Sequence, residues 1–168
     1  MYYFAPVTVF SAKVEMDNVL QVVDVAEQVA NQIRVSLASQ GALAAWNVRL
    51  TRLTPGECEI VLPMSAAVTQ QHGYFHGGVI GALADVAGGY AANTLLMPDN
   101  ECLTAEYKIN IVAPGIGERL IARGRVLKSG RTLVITGAEV YVRNNGVEKL
   151  CAIMQQTLFV IPVTSNPT

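Results

Sequence analysis

Residues 77–96, "GGVIGALADVAGGYAANTLL", constrain this chain more than any other stretch. They hold no proline and one charge, Asp85, and Pro98 follows two residues later. That pattern predicts a helix over about 79–96, ended before the proline. Glycine inside a helix costs about 0.8–1.0 kcal/mol relative to alanine, so tight packing must offset Gly81 and Gly88. With Ala82, Ala84, Ala87, Ala91 and Ala92, these residues leave room for another backbone to come close. The run is long enough to cross a bilayer. A central carboxylate, however, costs about 2.5–3.5 kcal/mol in a membrane, and no Lys or Arg lies close to either end. The expectation is a buried core helix in a protein with no membrane partner.

The remaining elements say what packs on it. Residues 17–40 place Val19, Leu20, Val23, Val25, Ala26, Val29, Ile33 and Leu37 at helical spacing. They predict an amphipathic helix capped by Asp17 or Asn18 and ended before Gly41. Residues 46–53 and 57–63 alternate around "TPGE" and read as a β-hairpin. Four further strands are expected at about 102–112, 118–128, 132–143 and 147–160, separated by "APGIG", "KSGR" and "NNG". Connections this short predict an antiparallel meander, since parallel pairing needs long crossovers. The expected class is α+β: a long glycine- and alanine-rich helix wrapped by a curved antiparallel sheet, with an extra N-terminal helix. That is the hotdog architecture. The expected division is an N-terminal extension at 1–42, the hotdog domain at 43–162 and a tail at 163–168.

Composition narrows the partners. Hydrophobic residues make up 51% of the 168 and charged ones 15%, a surplus that subunit interfaces absorb. A homo-oligomer is expected, a dimer or a tetramer. The net charge of −1 offers no basic face for nucleic acid. Cys58, Cys102 and Cys151 are odd in number and scattered, which reads as reduced thiols in a cytoplasmic protein. The opening "MYYFAPVTVF" lacks the basic start of a signal peptide.

"HGGVIGALAD", residues 76–85, resembles the H-G-G-x(6)-D signature of hotdog-fold acyl-CoA thioesterases, in the phenylacetate-degradation (PaaI-like) branch. The likeness runs over about 44–160 and includes Gln70, Thr104, "APGIGE" and "KSGRTL". Residues 1–42 have no counterpart in the minimal family core. The resemblance implies hydrolysis of acyl-CoA thioesters, with coenzyme A as part of the substrate and no separate cofactor. It also implies a site at a subunit interface, with Asp85 of one protomer facing Gly77 of the other.

The residues suit that chemistry. Thioester hydrolysis needs an activated water or nucleophile and a donor for the developing oxyanion. Gly77 and Gly78 stand at a helix N-terminus, where free N–H groups and the dipole favour a negative oxygen. Asp85 lies over two turns further on, about 12 Å along the axis, too far for one carbonyl to touch both in a single chain. Asp85 is expected to act as general base toward water or by direct attack. His76 organises the helix start rather than serving as base. Gln70 has two readings, a hydrogen bond to the carbonyl oxygen or water, and an ordinary solvated loop amide. Thr104 holds the water or Asp85, or simply begins a strand.

His72 and His76 are four residues apart but have no third ligand nearby except Asp85, so no metal is expected. Arg125, Lys128, Ser129, Gly130 and Arg131, next to Arg123, surround a turn. They are either solvated charge or a phosphate-recognition site for coenzyme A. Two other functions remain open on the same fold. One is a hydratase or dehydratase, whose relatives place their acid in other motifs. The other is a non-catalytic acyl-CoA-binding module.

Overall fold

The computed structural model describes residues 21–22 and 24–163. Its elements are β1 (Gln21–Val22), α1 (Glu27–Ser39), α2 (Gly41–Ala45), β2 (Arg49–Thr54), β3 (Glu57–Pro63), α3 (Gly77–Leu96), β4 (Asn100–Ile111), β5 (Arg119–Ser129), β6 (Leu133–Asn144) and β7 (Val147–Pro162). A single 3-10 turn, Ala66–Val68, precedes α3. The sheet order is β1-β2-β3-β5-β6-β7-β4, antiparallel throughout except for β1 beside β2.

Helix α3 runs across the inner face of this sheet and meets strands β2 to β7. It begins two residues earlier than its apolar pattern suggests, at Gly77, and ends before the Met97–Pro98 bond. By length and composition it is able to span a membrane, yet most of it is buried inside the molecule. Small residues set how closely the sheet approaches. A Cβ on Gly124 of β5 would lie 2.1 Å from the Ala87 carbonyl oxygen and 2.6 Å from the Gly88 nitrogen. Backbone therefore meets backbone at this crossing, which only glycine in the strand permits.

Two expectations need correction. The first is the meander in chain order. β5, β6 and β7 do follow one another, but β4 lies at the far edge beside β7, not beside β5. The reason is β7, whose 16 residues offer an edge to β6 through the tight Asn145–Gly146 turn and the other edge to β4. The link from β4 to β5 then crosses three strand spacings, about 14 Å, well within the reach of seven extended residues. It is pinned on the way by Val112 N–H to the Cys151 carbonyl and Glu118 N–H to that of Arg143.

The second is the helix over 17–40. Asp17 and Asn18 lie outside the described residues. Gln21–Val22 form a strand, Asp24 takes a positive φ of 58°, and α1 starts only at Glu27 with no side-chain cap. Helix α1 nevertheless buries the predicted face. Val29, Ala30, Ile33 and Leu37 join the same core as the sheet and α3. Tyr90 of α3 ties it down, accepting from Gln40 Nε2 at 2.7 Å and donating to Ser36 Oγ at 3.0 Å.

Candidate active site

Asp85 is half-buried in the middle of α3. Two elements reach it, and a third stands behind them. The Thr104 hydroxyl of β4 donates to Asp85 Oδ1 at 2.7 Å. Gln156 of β7 donates through Nε2 to the same oxygen, and lies 3.2 Å from the Asp85 carbonyl and 3.1 Å from Thr104 Oγ1. Behind it, Thr136 of β6 donates to Gln156 Oε1 at 2.9 Å. Asp85 Oδ1 thus carries two donors, while Oδ2 has no hydrogen-bond partner among the described residues. Burial pushes the Asp85 carboxyl up from the ordinary range, and the Thr104 hydrogen bond pulls part of the way back.

Sequence periodicity carries a sign of Gln156 and Thr136, two residues missing from the motif-based reading. In β7 the inward positions are Ala152, Met154, Gln156 and Leu158, and in β6 they are Val134, Thr136, Ala138 and Val140. A polar residue in phase with a buried apolar set marks a polar contact inside the core.

At the start of α3 the motif forms a cap. His76 is the N-cap, and its Nδ1 accepts from the Gly78 N–H at 2.9 Å. The Gly78 amide is therefore occupied, while the Gly77 N–H has no partner among the described residues. His76 thus caps the first turn through the Gly78 amide. Gln70 stays in its own loop, where Oε1 accepts from the His72 N–H. No group of His, Cys, Asp or Glu among the described residues has a metal-binding arrangement.

The basic cluster divides. Arg123 pairs with Glu59 at 2.8 Å and forks onto Glu148 at 2.8 and 3.2 Å, with its guanidinium 4.9 Å from the Tyr141 ring centre. Arg125, Lys128, Ser129, Gly130 and Arg131 are exposed on and beside the β5–β6 turn, and the three cations make no ion pair among the described residues. Cys58, Cys102 and Cys151 are free thiols. Burial pushes Cys102, beside the site, up to about 12, so it stays neutral.

The site in a single chain is open on one side. Along α3, Gly78, Ala82, Asp85 and Gly89 recur at helical spacing with incomplete burial, and a Cβ on Gly89 would meet nothing within 4 Å. Beside that stripe, β4 is the sheet's edge and leaves Tyr107 at 47% and Ile111 at 49% exposed.

Residues 72–149 match the thioesterase superfamily, and this segment contains the glycine cap, Asp85 and Thr104. A crystal structure of a thioesterase family protein from Silicibacter pomeroyi is 38% identical, covering 80% of this chain and 99% of its own with a TM-score of 0.78. The chain belongs to the thioesterase superfamily. A protein of Saccharolobus solfataricus named "putative esterase" is 30% identical over 55% of this chain and 66% of its own length. The E. coli PaaI protein of the phenylacetic acid degradation operon shares the fold, with a TM-score of 0.70 at 18% identity, over 82% of this chain and 96% of its own. The hotdog fold expected from the sequence agrees with these likenesses.

Proposed function

We propose that this thioesterase-superfamily protein hydrolyses acyl-CoA thioesters to the free acid and coenzyme A, in a site shared by two protomers. Asp85 is the observation that carries the reading. Its carboxylate is half-buried and held at one oxygen by Thr104 and Gln156, which leaves the other free to take a proton. Desolvation moves its pKa toward the range in which a general base works well near neutral pH.

Asp85 Oδ2 removes a proton from water, and the water oxygen attacks the thioester carbonyl. The oxyanion accepts a hydrogen bond from the free Gly77 N–H of the partner subunit, at the positive end of α3. Collapse of the intermediate expels the coenzyme A thiolate, which takes up the proton. The Thr104 hydroxyl keeps the carboxylate facing the carbonyl, and the His76 cap holds the first turn rigid. Gln70 lies in the loop before this cap, where its amide would bond the carbonyl or the water. Exposed cations at Arg125, Lys128 and Arg131, with the backbone of Ser129 and Gly130, would receive the nucleotide phosphates. The open side of the site supports a dimer. The unpaired β4 edge and the small stripe on α3 are surfaces a second copy would cover.

Asp85→Asn, assayed by thiol release on short-chain, long-chain and aromatic acyl-CoA, should lose about 10²–10⁴ in kcat. Retention of more than about a tenth of the activity would remove Asp85 from the chemistry and with it this reading.

A further inference from the structure

We infer that Gln156, oriented by Thr136, is the positioning residue that fixes the Asp85 carboxylate for reaction. This rests on Asp85 being the reacting group. Both residues are fully or nearly fully buried, Thr136 at 0% and Gln156 at 2% exposure. Neither is needed to fill the core, since their neighbours in phase, Val134, Ala138, Met154 and Leu158, are apolar. An amide buried at such a place must be offset by its hydrogen bonds, and those it makes go to Asp85, to Thr104 beside it and to Thr136.

The orientation of the amide is determined by what surrounds it. Asp85 Oδ1, the Asp85 carbonyl and Thr104 Oγ1 are acceptors gathered on one side, so Nε2 must face them. The reverse orientation would set Gln156 Oε1 against a carboxylate and a carbonyl. On the other side, the Thr136 hydroxyl donates to Oε1 and completes the amide's bonding. Thr104 can then accept from Gln156 and donate its own hydrogen bond to Asp85 Oδ1. Oδ1 is fully committed and Oδ2 is presented.

A second feature keeps the socket open. Gly88 lies one turn after Asp85 on α3, and a Cβ there would lie 2.2 Å from Gln156 Oε1 and 2.8 Å from Thr136 Oγ1. Any side chain at 88 would expel the amide from its place. The glycine that weakens the helix is thus matched to a glutamine on β7, the fourth strand after it in the chain.

The charged surroundings are simple. Burial, with the nearby charges of Asp85 and Glu101, pushes the Cys102 thiol of β4 up, so it stays neutral. The side chains that β6 and β7 turn toward the site, Thr136 and Gln156, carry no charge. Loss of the amide donors should therefore act directly on the proton affinity of Asp85.

The test compares pH profiles of kcat/KM for wild type, Gln156→Met and Thr136→Val on one acyl-CoA substrate. Methionine keeps the length of the side chain and removes both N–H donors; valine keeps the shape of threonine and removes the hydroxyl. A donor to the ionised carboxylate favours that form, so Gln156→Met should move the acid limb to higher pH. Its deficit should be about tenfold larger at the acid end than on the alkaline plateau, as expected for one lost hydrogen bond to a charged group. Thr136→Val should move the limb the same way by less, because the amide remains but is free to turn. It folds independently of the glutamine change and decides the matter if Gln156→Met does not fold. A uniform loss across pH, or an unmoved acid limb in a folded variant, would overturn the positioning role and leave Gln156 as a core contact. Full activity in Asp85→Asn is a different result, which would remove the catalytic reading and this proposal together.

Discussion

The cost of the site is concentrated in Asp85. Burial disfavours its charged form, so the folded protein binds a proton there more readily than the unfolded chain does. For a carboxyl raised in this way the sign is fixed. Stability is greatest below the unfolded pKa, falls as pH rises through the raised folded value, and is level above it. Asparagine keeps an acceptor for Thr104 and Gln156 and carries no charge. Asp85→Asn should therefore melt at or above the wild-type temperature at neutral pH, with the gap closing on acidification. A gap that is constant with pH would mean that ionised Asp85 costs the fold nothing. At this scale the sequence was informative for Asp85, Thr104 and Gly77, which fall in or near one motif. Gln156 is 71 residues from Asp85, and only the sheet brings them together.

Between elements, the closest approach is the crossing of β5 over α3 at Gly124. A methyl group there would overlap the Ala87 carbonyl, a main-chain group that no substitution in the helix removes. Gly124→Ala should destabilise the fold by about 1–3 kcal/mol, the usual cost of overpacking, read from the midpoint of urea unfolding. An unchanged midpoint would show that helix and sheet can separate freely at this point. The β5–β6 turn carries the other element-level expectation. Neutralising Lys128 and Arg131 should raise KM for acyl-CoA and spare a truncated thioester without the nucleotide, since contacts far from the reacting carbon serve binding. The effect should shrink as salt rises, because exposed pairs are screened over about 10 Å at 0.1 M. Equal loss on both substrates would assign the turn to the fold alone.

Over the whole molecule, the two halves of the proposed site lie on one helix but point to different places. Eight residues separate Gly77 from Asp85, about 12 Å of helix, which a single thioester carbonyl does not bridge. Exposed apolar side chains on β4, among them Leu103, Tyr107 and Ile111, add to the case for a second copy. Mixing Asp85→Asn with a variant bulky at Gly77 should restore part of the activity, because a heterodimer contains one site with both groups intact. Subunit exchange without recovery would place both groups within one protomer.

What the sequence determined by itself was local and periodic. The 3.6-residue and 2-residue patterns placed α3, the β2–β3 hairpin and the strands β4 to β7 within three residues of their ends. Short-range chemistry placed the glycine cap and the lone carboxylate, since a motif is a statement about neighbours in the chain. The tertiary structure alone decided strand order, because a long β7 has two edges and the sequence does not say which strand takes which. It also decided which cations are spent: Arg123 and Arg125 are alike in sequence, but β5 turns the first onto Glu59 and Glu148. The same holds for Gln156, whose role depends on an alignment of β7, β6 and α3 that no local pattern encodes. Side chains distant in the chain acquire a common chemistry only when the sheet fixes the distance between them.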